Sequence, residues 1–113
     1  MGRKVTIQIE SIEAGMERLK TTWKSGKTQG ELITFETLEV MLKTLTSRRW
    51  ALISVLQRHG PMGVRALARQ LDRDVKNVHT DVQALKAIGL VEDCDEGVWV
   101  PYDEIEAHLR VAA

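Results

Sequence analysis

Residues 60–91 hold the pattern that most narrows what this chain can fold into. Val64, Leu67, Ala68 and Leu71 recur at the i, i+3, i+4, i+7 spacing of one buried helix face, with Arg65, Arg69 and Gln70 turned elsewhere. Pro61 and Gly63 punctuate the start of this segment. Asp72-Arg73-Asp74 follows as a three-residue turn, and Val75, Val78, Val82 and Leu85 then repeat at helical spacing. Asp74 is the expected N-cap of this second helix, its carboxylate accepting from the N–H groups of Lys76 and Asn77. Gly89 stands just past the last periodic residue, where a left-handed conformation costs glycine nothing. A short helix, a tight turn and a longer helix make a helix-turn-helix.

At about 100° per residue, the face opposite the apolar stripe of the second helix carries Arg73, Lys76, Asn77, Thr80, Gln83, Ala84 and Ala87. It reads as polar, rich in donors, free of acids and small toward its C-terminal end, which are the properties a DNA major groove admits. The N-terminal half of such a helix enters the groove, so Arg73, Asn77, Thr80 and Gln83 are the candidates for base edges. Arg48, Arg49, Arg65, Arg69 and Lys76 are the candidates for phosphates. His79, at the edge of the face, joins them, although a solvated histidine is an equally good reading. A lone amphipathic helix would read as a solvated surface. The preceding helix, the turn length, the glycine stop and the strand-like segments behind it weigh toward double-stranded DNA.

Charge carries the same message only when it is mapped. The chain has 113 residues, one domain's worth, and a net charge of zero, which alone argues against nucleic acid. Residues 46–90 hold eight Lys/Arg against three acids, a net +5, whereas residues 91–113 hold one base against seven acids, a net −6. The first 45 residues are nearly balanced at +1. The positive charge therefore lies where phosphates would be. The acidic end is expected to lie away from the second helix, packed on the N-terminal segment or free to meet a basic partner. Cys94 is the single cysteine, so an intrachain disulfide is ruled out and a reducing cytoplasm is the expected compartment. No apolar run approaches the roughly 20 residues of a membrane span. The basic start, Met1-Gly2-Arg3-Lys4, leads into an alternating segment rather than a signal-peptide core.

Taken in order, residues 4–10 alternate, with Val5, Ile7 and Ile9 on one side, and predict a half-buried strand. Ser11 caps a helix to about Lys24 with Ile12, Met16, Leu19 and Trp23 inward, and a polar loop runs to Gly30. Leu32-Ile33 reads as a short strand, and a helix from about Phe35 to Leu45 has Leu38, Met41, Leu42 and Leu45 as its stripe. Thr46 caps the next helix, which runs to Arg58 with Trp50, Ile53 and Leu56 inward. Val91-Glu92 and Val98-Trp99-Val100 read as two strands around a turn at Asp95-Glu96-Gly97. Ile105, Ala107, Leu109 and Val111 alternate with polar residues and favour a strand; the Glu, Ala, Leu and Arg content also suits a helix, and the reading leans to the strand. Trp23, Trp50 and Trp99 read as core.

The expected fold is α+β, mainly α: a winged helix-turn-helix over 46–100, a strand–helix extension over 1–45 for dimerisation or partner binding, and an acidic C-terminal segment over 101–113 packed on the fold. Catalysis has no residue support, and no cofactor or metal is expected. Gly26-Lys27-Thr28 resembles the end of a phosphate-binding loop, but Thr21 stands where that loop needs glycine. His59, His79, His108 and Cys94 are too scattered for a metal-ligand pattern. The two-strand turn, Asp93-Cys94-Asp95-Glu96-Gly97, lacks the bases that would touch a minor groove, so DNA contacts are not assigned to it.

Leu67-Ala68-Arg69-Gln70-Leu71, Val78-His79-Thr80-Asp81-Val82, Leu85 and Ile88-Gly89-Leu90-Val91 resemble the helix-turn-helix of MarR-like winged-helix regulators. Adding Ile33-Thr34-Phe35-Glu36, Leu45-Thr46-Ser47-Arg48-Arg49, Lys76-Asn77-Val78-His79 and Val100-Pro101-Tyr102-Asp103-Glu104-Ile105, nearly the whole chain resembles a set of small prokaryotic winged-helix regulators. Some of those are the antitoxin half of a toxin–antitoxin pair. The resemblance implies a homodimer that represses its own operon, with a toxin protein held by the N-terminal or acidic C-terminal part. A protein–protein interaction module that uses the winged helix only as scaffold is the alternative.

Overall fold

The computed structural model describes residues 2–10 and 31–109. The helix expected over 11–24, with Trp23, and the loop after it lie outside them. Among the described residues the chain is α+β, with four helices and five strands. In chain order these are β1 (Lys4–Ile9), β2 (Glu31–Phe35), α1 (Leu38–Thr44), α2 (Ser47–His59), α3 (Val64–Leu71), α4 (Val75–Ala87), β3 (Glu92–Cys94), β4 (Gly97–Trp99) and β5 (Glu104–His108).

One parallel sheet has the order β2-β1-β5. Ile7 lies between Ile33 and Ala107, and Val5 between Glu31 and Ile105. The period of two puts Val5, Ile7, Ile33, Phe35 and Ile105 on one face, which packs into the same apolar core as the helices. The core continues through Leu45, Leu52, Ile53, Leu56, Leu67, Val78, Val82, Leu85 and Leu90 to Val98, Val100 and Tyr102. Each such side chain removed from water stabilises the fold by about 2 kcal/mol before entropy is counted. The strand reading of the last segment thus holds, and the acidic end is packed on β1. Lys4 pairs with Glu106 at 3.1 Å, and the Arg3 carbonyl accepts from the N–H of Asp103 at 2.9 Å. β1 and β2 from the N-terminal segment and β5 from the C-terminal one, read as separate parts of the sequence, share this sheet.

Several local expectations need correction. The helix expected from Phe35 begins at Leu38, because Phe35 belongs to β2 and Thr37 is the N-cap, its Oγ1 accepting from the N–H of Val40 at 3.1 Å. Leu42, assigned to the inward stripe, is 58% exposed. Val75 also proves exposed, at the first position of α4. Asp74 stands at the N-cap of α4 with extended backbone, but its side chain makes no cap hydrogen bond; its carbonyl accepts from the N–H of Val78 at 3.0 Å. Trp50 and Trp99 are half-buried.

The boundaries of α2, α3 and α4 follow the sequence reading. Thr46 Oγ1 caps α2 through the N–H of Arg49 at 3.3 Å. α3 ends on Asp72, in the left-handed conformation at φ 54°, so that the turn to α4 occupies three residues. After α4 the N–H of Leu90 reaches the carbonyl of Leu85 and that of Gly89 the carbonyl of Lys86, and Gly89 has φ 88°. This is the paired closure that a glycine C′ residue permits. The β3–β4 hairpin is clamped beneath by Met62, whose N–H and carbonyl exchange hydrogen bonds with Val98 at 3.1 and 3.0 Å. Gly97 has φ 132° there, and a Cβ on it would collide with the Met62 carbonyl.

Candidate nucleic-acid interface

Helix α4 turns Val78, Val82 and Leu85 fully into the core. The helical period therefore leaves Lys76, Asn77, His79, Thr80, Gln83 and Ala87 exposed. Asn77, Thr80 and Gln83, expected at base edges, thus lie on one accessible surface. Thr80 Oγ1 donates back to the carbonyl of Lys76 at 3.1 Å, which holds its side chain close to the helix. Gln83 Nε2 lies 3.4 Å from His79 Nε2, one turn away. On α3, Arg65 and Arg69 are four residues apart and exposed. Arg48 is exposed in the first turn of α2.

Arg49 and Arg73 are placed differently. Arg49 Nε donates to Asp81 Oδ1 at 3.0 Å, and its Nη1 donates to the Thr44 carbonyl at 2.9 Å. Arg73 Nη2 lies 2.8 Å from Asp81 Oδ2, and its Nη1 is buried with no hydrogen-bond partner. All three side chains are more than four-fifths buried, so this triad joins α2, the α3–α4 turn and α4 where screening is weak. The sequence reading missed Asp81 because the acid stands beside the polar face of α4 and its partner Arg49 is 32 residues away. The signal available was an Asp one turn after Asn77, the single acid in a helix whose other polar residues are Lys, Asn, His, Thr and Gln.

The triad forms the back of an open cleft of about 270 Å³ lined by Thr46, Arg48, Arg49, Arg73, Asn77, Thr80 and Asp81. Three guanidinium groups face one carboxylate there. Arg48, Arg65, Arg69 and Lys76 form no ion pair among the described residues. At the far end of α4, Lys86 pairs with Asp93 of β3 at 2.8 Å, so one of the hairpin acids is neutralised from the helix.

Helix polarity adds a second regularity. The positive end of a helix favours acids and its negative end favours bases, by about 0.3–1 kcal/mol each. α1 obeys this, with Glu39 in its first turn and Lys43 in its last, the two joined at 3.1 Å. α2, α3 and α4 have no acid in the first turn, and each carries a base at its second residue: Arg48, Arg65 and Lys76.

Residues 44–107 match the protein family described as HVO_A0114, which is more than half of the chain, and the chain belongs to that family. The matched region contains α2, α3, α4 and the β3–β4 hairpin, while β1 and β2 precede it. No curated protein and no solved structure matches the chain.

Proposed function

We propose that this member of the HVO_A0114 family is a sequence-reading, double-stranded DNA-binding transcription regulator of winged helix-turn-helix form, acting as a dimeric repressor by occupying a promoter. In this reading α3 and α4 are the helix-turn-helix, α4 enters the major groove, and β3–β4 is the wing. The observation that carries it is the triplet of unpaired bases at the starts of α2, α3 and α4. Bases at helix N-termini work against helix stability, and an external polyanion reverses that sign. Arg48, Arg65, Arg69 and Lys76 contact phosphates; Asn77, Thr80 and Gln83 read base edges. Arg49 and Arg73, paired with Asp81, stand behind this surface in the lining of the cleft. A dimer lets two copies of α4 meet half-sites about one helical turn apart.

Duplex affinity measured against salt tests the proposal. Log K falls with log salt by about 0.9 for each phosphate contacted, so four contacts give a steep line. A flat line overturns the DNA reading and leaves the interaction-module alternative. Among the described residues no helix is long and apolar enough to cross a membrane.

A further inference from the structure

We infer that the cleft between the start of α2 and the N-terminal half of α4 is a clasp for one backbone phosphodiester, and that Asp81 is its positioning residue. The inference rests on the DNA reading above and deepens it. It says which phosphate-binding element fixes the register of α4, and it gives an acid on a DNA-facing helix a favourable role.

Four features of the cleft point to a bound anion. Its lining holds Arg48, Arg49 and Arg73 against Asp81 alone, an excess of two positive charges. Its volume, about 270 Å³, exceeds several-fold the roughly 30 Å³ share of a liquid water, which leaves room for a phosphate group. The first-turn N–H groups of α2 have no acceptor within the helix; the Thr46 hydroxyl takes that of Arg49, leaving that of Arg48, a lining residue, for an outside acceptor. Arg73 Nη1 lies buried beside the cleft with no partner.

Asp81 explains how two guanidinium groups can stand so close before DNA arrives. Its Oδ1 accepts a hydrogen bond from Arg49 Nε, and its Oδ2 stands 2.8 Å from Arg73 Nη2 as an ion pair without a hydrogen bond; Arg49 Nη1 is taken by the Thr44 carbonyl, while Arg73 Nη1 has no acceptor. A phosphate seated between them and Arg48 would lie beside Asn77 and Thr80, which line the same cleft. Phosphate contacts set register without reading sequence, so this seat determines which base pair those two side chains meet.

The test is a sign. Removing an acid from a DNA-facing surface should tighten binding by electrostatics alone. If Asp81 positions the clasp, Asp81→Asn weakens binding to a mixed-sequence 20-bp duplex and lowers the salt slope by about 0.9, one phosphate contact. Arg48→Ala, an exposed change that does not weaken the fold, lowers it by the same amount. The double variant loses no more than either single one, because both act on one phosphate. Arg58→Ala, at the opposite end of α2, leaves the slope unchanged. Thermal unfolding of each variant separates a merely structural role, which reduces the active fraction and leaves the slope intact. Tighter binding by Asp81→Asn, or an unchanged slope in Arg48→Ala, overturns the clasp while a steep wild-type line keeps the DNA reading. A flat wild-type line overturns both.

Discussion

Around the parallel sheet, each base with a described position has an acid beside it. Arg3 Nη2 lies 2.6 Å from Glu31 and the guanidinium also stacks 4.9 Å over Tyr102; Lys4 meets Glu106, which His108 approaches at 3.0 Å. These contacts hold the Glu31 and Glu106 carboxyls below the usual range, through the hydrogen bond from Arg3 in the first case and those from Lys4 and His108 in the second. In α2–α4 the pattern reverses: Arg48, Arg65, Arg69 and Lys76 stand exposed and form no ion pair among the described residues, and Asp81, the acid in the cleft lining, is largely buried between two arginines. The same residue types therefore close the surface in one region and leave it open in the other. Exposed pairs contribute about 0–1 kcal/mol, so the sheet loses little if one is cut. A set of unpaired cations has its large effect only when an anionic partner is present.

The largest expected difference between the regions is in DNA affinity. Replacing Arg65, Arg69 and Lys76 together by Ala should weaken duplex binding by about 10²–10³-fold at 0.1 M salt, while Arg3→Ala with Lys4→Ala leaves it unchanged. Filter binding or fluorescence anisotropy reads both, and equal losses would erase the distinction. Next in size is Ile7→Ala, in the fully buried centre of the sheet. It should cost about 3 kcal/mol in urea unfolding, with the salt slope of the folded protein preserved. Gln83→Ala should cost about 1–3 kcal/mol at particular operator positions and nothing at others, whereas Arg69→Ala lowers all sequences alike. Identical selection profiles for those two variants would refute the assignment of faces.

The smallest effect is titration of the sheet pairs. Because the folded-state values of Glu31 and Glu106 are depressed, their contribution is present at neutral pH and is lost as the pH falls below the ordinary carboxylate value of 4.5 toward the lower folded value. The thermal midpoint should fall across that window, and Glu31→Gln with Glu106→Gln should flatten the fall. An unchanged profile would mean that these carboxylates contribute nothing to stability.

What could be read from the sequence was local. The apolar spacing of Val64 to Leu71 and of Val78 to Leu85, the Thr46 cap and the Gly89 stop all act within a few residues, and the helices formed on them. The exposed surface of Asn77, Thr80 and Gln83 followed from the same period. What could not be read was pairing across distance. Alternation marked β1 and β5 as strands but carries no information on which neighbours they choose or in which direction. Arg49 and Arg73 looked like free cations because nothing in a linear chain brings Asp81 to them. Asp74 shows the opposite failure: a residue type that suits a cap was read as one, yet its carboxylate takes no part.

The position of β1 between β2 and β5 also imposes an order in time. The strand leaves the ribosome before either partner exists, and its second edge stays vacant until residues 104–108 have been made. α2 packs on α3 and α3 on α4, each the next element in sequence, and such contacts form early, whereas long loops close late. The helical layer should therefore reach its native arrangement while β1 still waits, a nascent chain with one apolar strand open to wrong partners. Chaperone capture of released chains truncated before residue 104, and its loss in released chains that contain β5, would be the cellular trace of that vacant edge.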